Sequence, residues 1–172
     1  MLPCAIVAMG VSGCGKTTLT ADLAAYLACP AFEGDDFHSP ASVAKMRAGT
    51  ALDDDDRWPW LDRLGAAIGA GVRSGGLAVA ACSALKRSYR KRLERAAGVP
   101  LLFVHLDGER DEIAAHLATR QSHYMAPSLL DSQLAVLERP GADERALVLH
   151  CYAPVAALRE DVLTWAQASV TA

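Results

Sequence analysis

The sequence predicts an α/β fold with about five parallel strands, and three observations predict it. Apolar runs at Cys4–Met9, around Ala31–Phe32, and at Leu77–Cys82, Leu101–Leu106 and Ala146–Cys151 alternate with stretches of helix formers. The runs are continuously apolar rather than alternating, which suits strands covered on both faces. The first run ends in Gly10-Val11-Ser12-Gly13-Cys14-Gly15-Lys16-Thr17 and leads straight into a helical stretch, Lys16–Ala28, without proline. With 172 residues, 52% hydrophobic and 22% charged, the chain suits one globular domain over residues 1–172.

Taken in order, each element brings a candidate site with it, because ligands of open α/β sheets bind beyond the carboxyl ends of the strands. Strand, glycine loop and helix after Cys4–Met9 form a phosphate cradle: glycines let backbone N–H groups converge on an anion, and the helix N-terminus adds its dipole. The nucleotide-binding residues are therefore Gly10, Val11, Ser12, Gly13, Cys14, Gly15, Lys16, Thr17 and Thr18. Lys16 reaches the β- and γ-phosphates and Thr17 offers a hydroxyl to Mg²⁺. Cys14 lies inside this loop, where oxidation would block nucleotide binding.

The second strand is followed by Glu33-Gly34-Asp35-Asp36-Phe37-His38, carboxylates and an imidazole suited to Mg²⁺ contacts and to a base for a hydroxyl, or else to a capped polar turn. The long interval 37–76 holds more than one helix, among them Trp60–Val72, and forms a substrate-side subdomain. Within it, Asp53-Asp54-Asp55-Asp56-Arg57 embeds a guanidinium, the group that pairs bidentately with a carboxylate, among acids that hold it. Asp55 or Asp56 precedes the helix start, and Trp58 and Trp60 read as packing residues.

The third strand leads through Cys82-Ser83-Ala84-Leu85 to a helix over Lys86–Ala97, whose Lys86 and Arg90 share a face and suit an anionic substrate. Helices over Asp111–Arg120 and Leu129–Glu138 flank Arg120-Gln121-Ser122-His123, a lid at about 118–128 whose arginine neutralises charge on a transferred phosphoryl group. The fifth strand and a helix over Val155–Ala168 close the chain.

A net charge of −3 offers no basic field for nucleic acid, and no apolar run approaches the roughly 20 residues of a membrane span. Met1-Leu2-Pro3-Cys4 lacks a basic leader segment. Five scattered cysteines without C-x-x-C argue for free thiols in a reducing cytoplasm rather than a disulfide or zinc framework.

From Met9 to about Leu149 the sequence resembles the gluconate kinases, small P-loop enzymes related to shikimate and adenylate kinases. Beyond the loop, the resemblance rests on Gly34-Asp35-Asp36-Phe37-His38, Lys45-Met46, Asp54–Leu61, Cys82-Ser83-Ala84-Leu85-Lys86-Arg87 with Tyr89-Arg90, His123-Tyr124-Met125, Ser132-Gln133, and Leu137-Glu138 with Gly141–Arg145. It implies a three-layer P-loop fold of the nucleoside monophosphate and shikimate kinase type, with a lid. It also implies ATP and Mg²⁺, a cytoplasmic homodimer, and transfer of the γ-phosphoryl of ATP to the 6-hydroxyl of D-gluconate in sugar-acid catabolism.

On this resemblance Lys16, Asp35 and Arg120 are catalytic, and Thr17 and Glu33 face the metal. Asp35, His38, Arg57, Lys86, Arg90 and His123 meet the sugar acid. The chain departs from the family at Ser39 (often Pro), Ser42 (Asn), His116 (Arg) and Ser122 (Gly). The competing expectations are a kinase for shikimate or a nucleoside monophosphate, and a nucleotide-binding regulator without catalysis.

Overall fold

The computed structural model describes residues 3–119 and 127–171. Strands β1 (Cys4–Met9), β2 (Ala31–Glu33), β3 (Leu77–Ala81), β4 (Leu101–Asp107) and β5 (Ala146–His150) make one sheet, all parallel, in the order β2-β3-β1-β4-β5. Helices α1 (Lys16–Leu27), α2 (Pro40–Arg47), α3 (Asp54–Gly75), α4 (Arg87–Ala97), α5 (Arg110–Ala118), α6 (Pro127–Val136) and α7 (Val155–Thr171) connect and follow them.

The period-2 alternation of a strand divides the core in two. Ile6 and Ala8 of β1 join Val79, Leu102 and Val104 under α1, α5 and α7, where Leu19, Leu23, Ile113, Leu158 and Val162 are buried. Ala5, Val7 and Met9 face the other way with Ala78, Ala80 and Phe103, covered by Leu61, Leu64, Ile68 and Val72 of α3 and by Tyr89 and Leu93 of α4. Three layers result, as the sequence predicts. Burial on both faces holds for β1, for all of β4 but its last residue and for all of β3 but its first. It fails at the edges: β2 is short and part-exposed, and Val148 on β5 is 50% exposed.

The principal element correction concerns α3. The sequence places a helix at Trp60–Val72, whereas α3 runs Asp54–Gly75 with Pro59 inside it. The run of acids is its start. Asp53 is the N-cap, its carboxylate accepting from the Asp56 N–H at 2.9 Å while Asp56 accepts from the Asp53 N–H at 3.2 Å, a reciprocal capping box. Three further carboxylates, Asp54–Asp56, then lie in the first turn, where the helix dipole favours them. Within the interval 37–76, α3 from Trp60 onward belongs to the layer that covers the sheet. Lys86 stands at the N-cap of α4 rather than inside it. Most of the expected lid, with Arg120, Ser122 and His123, lies outside the described residues.

Candidate active site

The glycine loop joins β1 to α1 at the carboxyl edge of the sheet. Gly10 has φ +137°, and a Cβ there would fall 2.7 Å from the Leu106 carbonyl oxygen, so both conformation and space require glycine. Its N–H donates to the Ser83 carbonyl at 3.2 Å, tying the loop to the stretch after β3. Gly15, at φ +91°, turns the chain into α1 and leaves the first N–H groups of that helix uncapped by any side chain. Lys16 opens α1 and its Nζ donates to the Val11 carbonyl at 2.8 Å.

Two side chains from elsewhere hold the loop. The Ser12 N–H donates to Gln133 Oε1 at 2.7 Å and Gln133 Nε2 to Ser12 Oγ at 3.1 Å; the Tyr152 hydroxyl donates to the Gly13 carbonyl at 3.1 Å. His116 packs its ring on Tyr152, centroids 4.8 Å apart. Cys14 is fully buried in the core beneath the loop.

Thr17 and Glu33 do meet: the Thr17 hydroxyl donates to Glu33 Oε2 at 2.8 Å. One hydroxyl and one carboxylate are hard oxygen donors of the kind Mg²⁺ takes alongside phosphate oxygens and water. Among the described residues no cluster of three or more His, Cys, Asp or Glu is gathered for a metal, so an all-protein cage is not the fit here.

Beyond β2 a 3-10 turn, Gly34–Phe37, carries Asp35. A Cβ on Gly34 would lie 2.5 Å from the Ala81 carbonyl, so glycine lets the turn press against β3. Trp60 Nε1 donates to the Gly34 carbonyl at 2.7 Å and the Trp60 ring stacks on His38 at 4.3 Å. Asp35 is left projecting, its side chain 88% exposed and 3.9 Å from His38 Nε2. Burial holds the His38 imidazole below its ordinary pKa, against the opposing pull of Asp35. An open cleft of about 620 Å³ runs from His38 along α2, past Val43, Ala44 and Arg47. Ser39 and Ser42, two of the departures, form the N-cap of α2: the Ser39 hydroxyl oxygen accepts from the Ser42 N–H at 3.0 Å.

Arg57 and Lys86 converge on one carboxylate. Lys86 Nζ donates to Asp54 Oδ1 at 3.0 Å, and Arg57 lies 3.9 Å from the same oxygen. Tyr89 stands between them, accepting from Arg57 at 2.9 Å and donating a short hydrogen bond to Asp54. These bonds, Tyr89 first and Lys86 second, hold the Asp54 carboxyl below its usual range, and Asp54 in turn raises Lys86. The sequence gives Asp54, Tyr89 and Gln133 no site role of their own. The i, i+3 spacing of Asp54 and Arg57 is the sign for the first; the other two stand only within motifs that carry the family resemblance.

Arg90 is the correction in this group. Its side chain is 1% exposed and its guanidinium is fully engaged, bidentate to Glu144 at 2.6 and 2.9 Å and donating to the carbonyls of Ala84, Leu85 and Glu138. One turn beyond the N-cap lysine it points into the protein, away from the surface face that its spacing from Lys86 suggests. Cys82, after β3, is likewise inert, its thiol pushed up to about 12 by burial.

Residues 6–140 match the family model described as "AAA domain". A gluconokinase of Gluconobacter oxydans is 50% identical over 139 residues, covering 81% of this chain and 78% of that one. The crystal structure of a gluconokinase from Sinorhizobium meliloti superposes with a TM-score of 0.82 at 41% identity, over 95% of this chain and 91% of that one. Shikimate kinase from Aquifex aeolicus, 10% identical with a TM-score of 0.57 over 97% of this chain and 98% of that one, shares the fold.

Proposed function

The chain belongs to the gluconokinase family, and on that premise we propose how its residues carry the γ-phosphoryl of ATP to D-gluconate, giving ADP and 6-phospho-D-gluconate. The observation that carries the assignment of roles is the convergence of Arg57 and Lys86 on Asp54 beside the donor cradle. Two cations sharing one carboxylate on a half-exposed surface are a preformed seat for a second carboxylate, that of the sugar acid. The loop amides from Gly10 to Thr18 hold the phosphates and Lys16 reaches the β- and γ-phosphates. Thr17 and Glu33 would hold Mg²⁺, which supplies charge neutralisation at the phosphates when bound.

The acceptor hydroxyl oxygen bonds to the γ-phosphorus as the bridging P–O bond to ADP breaks, and the hydroxyl proton passes to the Asp35 carboxylate. In a loose transition state positioning and charge matter more than that base. His38 faces the acceptor with its neutral ring. Arg120 and His123 complete the site from the lid in the same proposal, and the cytoplasmic homodimer belongs to it too.

A substrate panel tests it: ADP release is measured with gluconate, shikimate and nucleoside monophosphates, in the parent protein and in Arg57→Ala. Gluconate is expected to dominate, and Arg57→Ala to raise its KM about tenfold or more with kcat less affected. Faster turnover of shikimate or a nucleotide would overturn the substrate reading, and an unchanged KM would remove Arg57 from the site. No observation favours shikimate, since the likeness to its kinase is one of fold, and ATP binding without turnover of any acid would revive the regulator.

A further inference from the structure

The Val11–Ser12 peptide is gripped on both of its polar groups. Its carbonyl accepts from Lys16 Nζ at 2.8 Å, and its N–H donates to Gln133 Oε1 at 2.7 Å. Gln133 makes its second contact with the Ser12 hydroxyl oxygen, so its whole amide is spent on one loop residue 121 positions away. Fixing a glutamine side chain costs rotamer entropy of about the size that two neutral hydrogen bonds return. The yield in stability is therefore small, and what the contact achieves is orientation. The carbonyl and N–H of one peptide turn together, so releasing the N–H frees the plane to rotate and swings the Val11 oxygen away from the Lys16 ammonium.

We propose that Gln133 is a positioning residue for the γ-phosphate end of the nucleotide site, acting through the Val11–Ser12 peptide on Lys16. The inference rests on the reading of Gly10–Thr17 as the ATP cradle. It separates two nucleotides. The α- and β-phosphates lie chiefly on loop amides, which Gln133 leaves alone apart from that of Ser12, while Lys16 adds a contact to the β-phosphate and supplies the one that reaches the γ-phosphate. Loss of Gln133 should therefore be felt more with ATP than with ADP.

The test uses the full chain with Gln133→Ala, Gln133→Met (which keeps length and packing), Ser12→Ala, and the Gln133→Ala/Ser12→Ala pair. Both Gln133 variants should lower kcat/KM for ATP about tenfold, within the cost of a misplaced reacting group. ADP affinity by calorimetry should fall several-fold less than that, and gluconate KM and melting temperature should stay close to the parent's. Ser12→Ala keeps the N–H contact and should cost less, and the pair should be no worse than Gln133→Ala alone, because the two residues act through one contact.

Parent-like ATP kinetics in the Gln133 variants would overturn the proposal. So would equal losses of ADP and ATP affinity that follow a fall in melting temperature, the mark of a mere prop. If the parent protein fails to phosphorylate gluconate, the activity reading falls. Calorimetry of a non-hydrolysable ATP analogue against ADP still decides Gln133.

Discussion

His38 and His105 are each buried with a ring Nδ1 that has no hydrogen-bond partner, and burial draws both imidazoles below their ordinary pKa. Asp35 opposes the shift at His38 while Arg57 and Arg63 add to it; Asp107 opposes it at His105 while Arg139 and Arg90 add to it. Both rings are neutral in the fold and protonate in the unfolded chain below about pH 6.5. The unfolded state then binds the extra protons, so stability is fully present above that pH and is lost as pH falls below it. The melting temperature should be flat above about pH 7 and decline toward pH 5, with a shallower decline in His105→Gln; an unchanged slope in that variant would clear His105. Asp54 and Glu144, held below the usual carboxylate range, act only at lower pH. At this scale the sequence shows residues whose partners its motifs already imply, such as Lys16, Thr17 and Glu33. Tyr89 and Gln133 stand in motifs, but their roles stay hidden because their partners lie 32 to 35 and 121 positions away.

Helices α3 and α4 pack more closely than two ordinary helices can. A Cβ on Gly69 would lie 2.1 Å from the Ala97 carbonyl oxygen, and one on Gly65 would lie 2.6 Å from the Ala96 Cβ and 2.9 Å from the Leu93 oxygen. The nearest obstacle at Gly69 is backbone, the Ala97 carbonyl, which also accepts from Arg73 at 3.2 Å. Alanine in a helix gains up to about 1 kcal/mol over glycine. Overpacking against backbone costs about 1–3 kcal/mol and disturbs the Arg73 bond as well. The loss wins: Gly69→Ala should lower the melting temperature by about 2–8 °C. Gly75→Ala, where nothing lies within 4 Å, should leave it unchanged or raise it. Five strands and most helices of this fold are legible as apolar runs and helix formers. The start of α3 is legible only in part: the acids read as caps ahead of a helix that Pro59 delays to Trp60, and the reciprocal Asp53–Asp56 cap brings the start forward to Asp54.

At the scale of the whole molecule, strand order is the part that no apolar run announces, since β1, β3 and β4 look alike one by one and the central place of β1 comes from pairing. Arg90 has the same character. Its position four residues after Lys86 suggests a shared surface, yet its contacts draw together the loop after β3, the stretch after α6 and the approach to β5. A buried charge that loses its partner costs about 3–5 kcal/mol, or about 6–20 °C in a domain of this size. Arg90→Met strands Glu144, and Glu144→Gln strands Arg90, so both should lower the melting temperature, and the double variant should lose less than the sum. If Arg90 instead bound the sugar acid, Arg90→Met would raise the gluconate KM steeply while Glu144→Gln would not. Matched thermal losses with matched, small changes in KM are the outcome expected of a residue that joins three distant segments. A large KM effect confined to Arg90→Met would return it to the active site.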